Sequence, residues 1–302
     1  MGGGSSGFAD HHGGSAFAWG IDWLHDVPVV IVAVVAATWY FRSAKRLDRD
    51  GARPPWPTRY SWYFFSGLAL ALLVTSGPVA HGAMSTFSMH MVQHIVLMML
   101  GAPLLVMGAP VLLVLRTSSP ARRRAILVPI LRSRAFAIVT NPVVSWVAFA
   151  TVLVGMHFTP AMSSLMNLSP FGHYLEYVLY LGVAICFYYT LLPGNPARNR
   201  PDAAMAVVSL FLMMIPETMT GFFLYSAGSP LFPYFTEAAG VSGPDVLADQ
   251  RLGGALMWST SMIIDVAWIA VAVHHWFGTE VVKTRRLDEE MERQRVAGGA
   301  ET

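Results

Sequence analysis

The sequence predicts an all-α integral membrane protein, a bundle of seven transmembrane helices with its N-terminus outside and its C-terminus in the cytoplasm. Hydrophobic residues make up 54% of the 302 residues and charged residues only 13%, whereas about a quarter of the residues in soluble domains are charged. The mean hydropathy of +0.50 excludes a soluble globule and a disordered chain. The apolar residues also fall into seven separate stretches, each about long enough to cross a bilayer.

A bilayer core about 30 Å thick needs roughly 20 mostly apolar residues in a helix. The predicted spans are residues 24–41, 60–80, 87–115, 143–158, 171–192, 204–226 and 253–276. The third span is the longest and contains Gly101-Ala-Pro103 and Gly108-Ala-Pro110. We expect a bend or tilt there, because helix kinks occur at proline and glycine.

The basic residues are confined to alternate connections between the spans. Of the 20 Lys and Arg residues, 19 lie between spans one and two, three and four, or five and six, or after span seven, and Arg251 is the exception. Connections rich in Lys and Arg stay in the cytoplasm. The distribution therefore predicts an odd number of spans, an external N-terminus and a cytoplasmic C-terminus.

Three regions follow from this layout. Residues 1–23 are rich in Gly and Ser and are predicted to form a flexible external tail, residues 24–278 the seven-helix membrane domain, and residues 279–302 a charged cytoplasmic tail. We interpret the charges of the last region as a topological signal, and nucleic acid is not expected as a partner. The single cysteine, Cys186, excludes a disulfide within the chain and a CxxC motif.

Five histidines lie at or near the predicted outer ends of their helices. They are His81, His90, His94, His157 and His173. His90 and His94 are four residues apart and share one helix face, with Met98 one turn further along. Imidazoles with a thioether suit copper, and sulfur favours Cu(I). The histidines can equally be bonded to water and neighbouring carbonyl groups, with methionine as apolar filler, and the sequence leaves both interpretations open.

Several polar side chains are candidate partners for such ligands. His173-x-x-Glu176 places a carboxylate on the histidine's face of span five, and a metal-bound histidine normally donates its second N–H to such a group. Gln93, between the paired histidines, and Asp249, just before span seven, belong to the same set. Acids within spans are functional candidates, and two more are found there without an evident partner, Glu217 and Asp265.

The sequence contains no recognisable catalytic motif. Walker A, GxSxG, HExxH and CxxCH haem-attachment sequences are missing, and no nucleophile with a neighbouring base can be identified. We therefore do not expect an enzyme.

Four blocks of sequence carry a family resemblance. The first runs from His90 to Pro110, and the others are His157-Phe-Thr-Pro160, His173-x-x-Glu176, and Ala248-Asp-Gln-Arg-Leu-Gly-Gly254 followed by Trp258. In composition and order they resemble the signature of the caa3-type cytochrome c oxidase assembly factors called CtaG. The likeness covers about residues 20–278.

The resemblance implies a factor of the bacterial plasma membrane that matures a haem–copper oxidase. Copper is then the expected cargo, held transiently, cytochrome c oxidase subunits are the expected partners, and the lipid bilayer surrounds the chain. The candidate ligands that carry over by position are His90, His94, His157 and His173.

Three other functions stay open at this point. A b-type haem or quinone electron-transfer protein would use histidines on different helices, since His90 and His94 share a face and cannot bracket one iron. A metal-free scaffold would use the histidines only for hydrogen bonds while oxidase subunits fold. A copper importer would need a relay at the inner side, where His274 and His275 lie.

Overall fold

The computed structural model describes residues 23–49, 51, 54–168, 171–198, 200–238 and 244–299, and the regular structure in these residues is helical, as predicted. The first helices are α1 (Trp23–Arg49), α2 (Thr58–Thr75), α3 (Gly77–Ser85), α4 (Phe87–His94), a π-helix (Ile95–Gly101), α5 (Ala102–Met107) and α6 (Pro110–Thr117). Short helical segments follow, namely α7 (Pro120–Arg122), a second π-helix (Arg123–Leu127), α8 (Val128–Arg132) and α9 (Arg134–Val139). The remaining helices are α10 (Pro142–Phe158), α11 (Ala161–Met166), α12 (Phe171–Leu191), α13 (Ala203–Ser226), α14 (Pro233–Ala238) and α15 (Pro244–Gly299).

Five helical segments are long and apolar enough to cross a membrane, and six if the bent pair α2–α3 is one crossing. The five are Asp26–Arg49, Phe87–Thr117, Phe171–Leu191, Ala203–Ser226 and Asp245–Gly278. The predicted fourth span corresponds to α10, whose 17 residues are fewer than the roughly 20 of an ordinary crossing. The described chain is therefore all-helical with five to six candidate spans, and the count of seven stays a prediction.

The two terminal regions differ in how much of them is described. The predicted external tail lies outside the described residues up to residue 22. At the other end, α15 continues without a break through the predicted charged tail as far as Gly299.

The predicted second span, residues 60–80, is not one straight helix. Its two parts, α2 and α3, meet at an angle of 46°. Gly77 at this bend has a φ of 65°, a left-handed backbone conformation that suits glycine, and Pro78 has no N–H with which to continue the hydrogen bonding of α2. The Asp26 carboxylate accepts a hydrogen bond from the Gly77 N–H (3.1 Å), which ties α1 to the bend.

Both Gly-Ala-Pro sequences of the third span remove a backbone hydrogen bond, because proline has no N–H. The Met99 carbonyl, four residues before Pro103, instead accepts a hydrogen bond from Trp268 Nε1 of α15 (2.7 Å). The carbonyl four residues before Pro110 accepts one from Asn195 Nδ2 (2.7 Å). Side chains from distant parts of the chain thus donate to the two carbonyl groups that lack a proline N–H as their partner, and the Val106 carbonyl also accepts from the Ala109 N–H (2.9 Å).

The helices α13 and α15 form the most extensive helix pair, and glycine allows their close approach. A Cβ on Gly254 would lie 2.5 Å from the Tyr225 backbone nitrogen and 2.8 Å from the Gly221 oxygen. Small residues at a crossing allow two backbones to pack at this distance. Because α15 also packs against α4, the crossing helps to position the polar residues at the start of the third span.

Candidate metal centre

Three buried side chains from two helices meet inside the bundle, and we call them the histidine cluster: His90 and His94 of α4 and Glu176 of α12. The two Nε2 atoms of the histidines are 2.7 Å apart, and Glu176 Oε1 lies 3.3 Å from the first and 3.4 Å from the second. His90 and Glu176 have no exposed surface. One donor atom of each residue lies within 4.8 Å of the other two, as in a single metal site.

The start of α4 fixes where the two histidines lie. The Asp249 carboxylate of α15 accepts hydrogen bonds from the Phe87 N–H (2.6 Å), the Ser88 N–H (3.3 Å) and the Ser88 hydroxyl. A carboxylate at a helix N-terminus bonds N–H groups that have no partner within the helix and complements the helix dipole. Asp249, which the sequence suggested as a partner of the ligands, thus contacts the backbone of α4 three residues before His90.

Gln93 points away from the cluster and fixes the rotation of α4. Its Nε2 donates to the Val74 carbonyl (2.5 Å) and to the Tyr177 hydroxyl (3.0 Å). These contacts join α4 to α2 and α12. They keep His90 and His94 turned toward Glu176, so Gln93 acts on the ligands through the helix that carries them.

His157, at the end of α10, has the hydrogen bonding of a metal ligand. Its Nδ1 donates to the Leu153 carbonyl (2.6 Å), which leaves the lone pair of the ring on Nε2. That Nε2 is buried and has no hydrogen-bond partner within the described residues. Metal-bound histidines commonly donate their second N–H to a backbone carbonyl. His157 lines a cavity of about 20 Å³ together with His94 and Met98.

The two remaining predicted histidines have different neighbours. His173 lies one turn before Glu176 on α12, and its Nδ1 is 3.8 Å from Glu176 Oε2. His81 Nε2 lies 3.8 Å from Asp26 Oδ1, and its side chain is 27% exposed. The structure therefore places His173 beside the cluster and His81 next to an acid of α1.

Some residues around the cluster gave no signal in the sequence. The Tyr180 ring lies 4.1 Å from the His94 ring, and the Phe235 ring of α14 lies 5.5 Å from the His90 ring, measured between centroids. An aromatic residue in an apolar stretch looks like ordinary core. The sequence did single out Glu176, but as a partner of His173. Its shorter distances to the paired histidines depend on how α12 packs against the third span.

The two acids without an evident partner in the sequence contact each other. Glu217 of α13 and Asp265 of α15 are both buried, and their carboxyl groups are electrostatic neighbours. Glu217 also lines the cavity that His94 and His157 line. Their pairing follows from the α13–α15 crossing, which the sequence does not give.

The donor set of the histidine cluster suits a transition metal. Two imidazole nitrogens and one carboxylate bind copper, zinc or iron, with coordination positions left open for another ligand. Ligands at about 2.0 Å from a tetrahedral ion lie roughly 3.3 Å apart. Both His–Glu distances, 3.3 Å and 3.4 Å, fit this spacing. The imidazoles, 2.7 Å apart, would have to separate slightly.

Comparison with known proteins gives a family but no solved fold. Residues 38–279 match the model of the cytochrome c oxidase caa3 assembly factor. Uncharacterized proteins of Mycobacterium bovis and Mycobacterium tuberculosis are each 28% identical to the chain over 263 residues, and one of Mycobacterium leprae is 27% identical over 262. The alignment covers 84% of this chain but only 39% of each relative. No solved structure matches the chain.

Proposed function

Because the chain belongs to the family of cytochrome c oxidase caa3 assembly factors, we propose that it binds copper and delivers it to an oxidase subunit during assembly. The family supplies the assembly role. The proposal of copper as the cargo comes from the donor groups of the histidine cluster.

The observation that carries the copper proposal is the burial of His90, His94 and Glu176 against one another in an apolar bundle. Ionisable side chains at such a place are costly to the fold and generally mark a functional site. Among divalent first-row metals, copper binds most tightly to nitrogen and oxygen donors. Neighbouring thioethers, such as that of Met98, extend the suitability to Cu(I).

The same geometry supports an ion in preference to a haem. The cavity beside the cluster measures about 20 Å³, far less than a porphyrin occupies. The Nε2 atoms of the paired histidines are 2.7 Å apart, so they cannot lie on opposite faces of one iron.

We place the cluster at the outer face of the bacterial plasma membrane. If α2–α3 and α10 are both crossings, the chain has seven spans, and the arginine-rich connections all fall on the cytoplasmic side, with the N-terminus outside. The helix α4 then begins on the outer side, with His90 and His94 in its first two turns. Delivery there proceeds by ligand exchange, because three protein ligands leave a coordination position for a ligand of the acceptor.

The test compares copper binding by the purified full chain and by the double variant His90→Ala, His94→Ala. We expect the wild type to bind copper and the variant to bind at least about tenfold more weakly, since two of three ligands are gone. His81→Ala is the matched control, because His81 lies on α3, which packs against α4, but contacts Asp26 instead of the cluster. It should bind copper as the wild type does.

Equal binding by the double variant and the wild type would remove the cluster from the proposal. A second readout is the copper content of the oxidase in cells whose own copy of the gene is deleted. The wild type and His81→Ala should restore it, and the double variant should not. Normal oxidase copper with reduced subunit assembly would instead favour a metal-free scaffold.

A further inference from the structure

We infer that a second copper position, for a single Cu(I) ion, adjoins the histidine cluster. It is the cavity lined by His94, His157, Met98 and Glu217, which we call the methionine cavity. The inference rests on the proposed copper function and adds a place deeper in the bundle to which the ion can move.

The methionine cavity has the size of one ion. Its volume is about 20 Å³, and roughly 10–15 Å³ of such space already accommodates one water molecule. Residues from the third span, α10, α12, α13 and α15 line it. Five parts of the bundle thus converge on a space for one small particle.

Four polar atoms of the lining residues are buried without a hydrogen-bond partner in the described part of the chain: His94 Nδ1, His157 Nε2, Tyr180 Oη and Glu217 Oε2. The four side chains are all at least nine-tenths buried. Buried polar atoms nearly always have a partner, which can be a water or an ion. The His157 ring, whose Nδ1–H is held by the Leu153 carbonyl, offers a lone pair at Nε2.

Sulfur distinguishes this position from the histidine cluster. Four buried methionines line the cavity, namely Met91, Met98, Met99 and Met257. Thioethers bind Cu(I) in preference to harder ions such as zinc or magnesium. The histidine cluster offers nitrogen and oxygen, whereas the methionine cavity adds sulfur, so the deeper position is selective for the reduced ion.

One imidazole belongs to both positions. His94 Nε2 faces His90 and Glu176, while its Nδ1 lacks a partner and the residue lines the methionine cavity. An ion leaving the cluster therefore meets the other nitrogen of a ring that has already held it.

The experiment counts Cu(I) ions bound per purified full chain in anaerobic titrations against a chromophoric Cu(I) chelator. We expect two ions for the wild type, one for His157→Ala and one for the near-isosteric Met98→Leu. His90→Ala should also retain one, held in the cavity. Met162→Leu is the matched control, since Met162 is fully buried but does not line the cavity, and it should retain two.

X-ray absorption of the His90→Ala chain provides the second measurement. Copper–sulfur scattering should be present and should disappear when Met98→Leu is added. One ion in the wild type, lost in His90→Ala and kept in His157→Ala, would overturn the second position and leave the proposed function intact. No ion in the wild type would overturn both. Two ions in both Met98→Leu and His157→Ala would overturn the second position alone. A loss of stability in these variants without any loss of copper would do the same.

Discussion

At the scale of single residues, the histidine cluster and His157 place polar atoms in the apolar interior of the bundle, where apolar side chains would be more stable. The nitrogens His90 Nδ1, His94 Nδ1 and His157 Nε2 are buried without hydrogen-bond partners among the described residues. Each such atom costs about 1–3 kcal/mol of folding free energy. An arrangement that gives up stability in this way is expected of a ligand site, because the ligand supplies the missing bonds.

Asp249 offers a test of how the site is positioned. Asp249→Ala removes three hydrogen bonds to Phe87 and Ser88 and should lower the free energy of unfolding by about 1–3 kcal/mol. Copper affinity should fall as well, because α4 carries two ligands. Denaturant unfolding in detergent and copper titration measure the two effects. The control is Asp245→Ala, which removes an exposed acid from the first turn of α15, the helix that also carries Asp249. It should change the free energy of unfolding by less than about 0.5 kcal/mol. Equal losses in both variants would contradict the capping role of Asp249.

Part of the site could be predicted from residue spacing alone. The four-residue interval puts His90 and His94 on one helix face, and the structure brings their rings together. That Glu176 is their direct neighbour could not be predicted, because it lies 82 residues after His94 in the sequence. No local sequence pattern indicates a contact over such a separation. The same holds for Glu217 and Asp265, whose contact depends on packing between helices.

At the scale of helices, hydropathy located the elements and missed their breaks. Apolar length alone predicted the helices Phe171–Leu191 and Ala203–Ser226 closely. The bend between α2 and α3 comes from one glycine and one proline within an otherwise apolar stretch, so averaging over the stretch hides it. The two prolines of the third span were visible in the sequence, but the side chains that donate to the carbonyl groups four residues before them come from remote segments.

The α13–α15 crossing gives a prediction at this scale. Gly254→Ala would place a Cβ 2.5 Å from the Tyr225 nitrogen, so the helices must separate, and we expect a loss of about 1–3 kcal/mol in unfolding free energy. Gly278→Ala is the matched control in the same helix, because a Cβ there meets nothing within 4 Å. Thermal unfolding of both variants in detergent decides the matter, and similar midpoints would show that the two helices tolerate wider spacing.

At the scale of the whole molecule, charge and ligand chemistry lie at opposite ends of the helices. The arginines of the first connection follow α1 and precede α2, whereas the histidine cluster begins after α3, at the far end of that bent pair. This separation was visible in the sequence, since it needs only the order of spans and charges. Under the predicted topology, in which the arginines are cytoplasmic, the proposed site faces an acceptor on the outer side.

Cysteine labelling tests this orientation directly. In a Cys186→Ala background, which has no other cysteine, Ser85→Cys places a thiol at the exposed end of α3, and Ala121→Cys places one among the exposed arginines after α6. A membrane-impermeant maleimide added to intact spheroplasts should label the first and spare the second, because lipid blocks a charged reagent. After permeabilisation both should react, which shows that each thiol is accessible. If only Ala121→Cys were labelled in intact spheroplasts, the topology would be the inverse of the predicted one. The histidine cluster would then lie on the cytoplasmic side, where it could not deliver copper to an external acceptor.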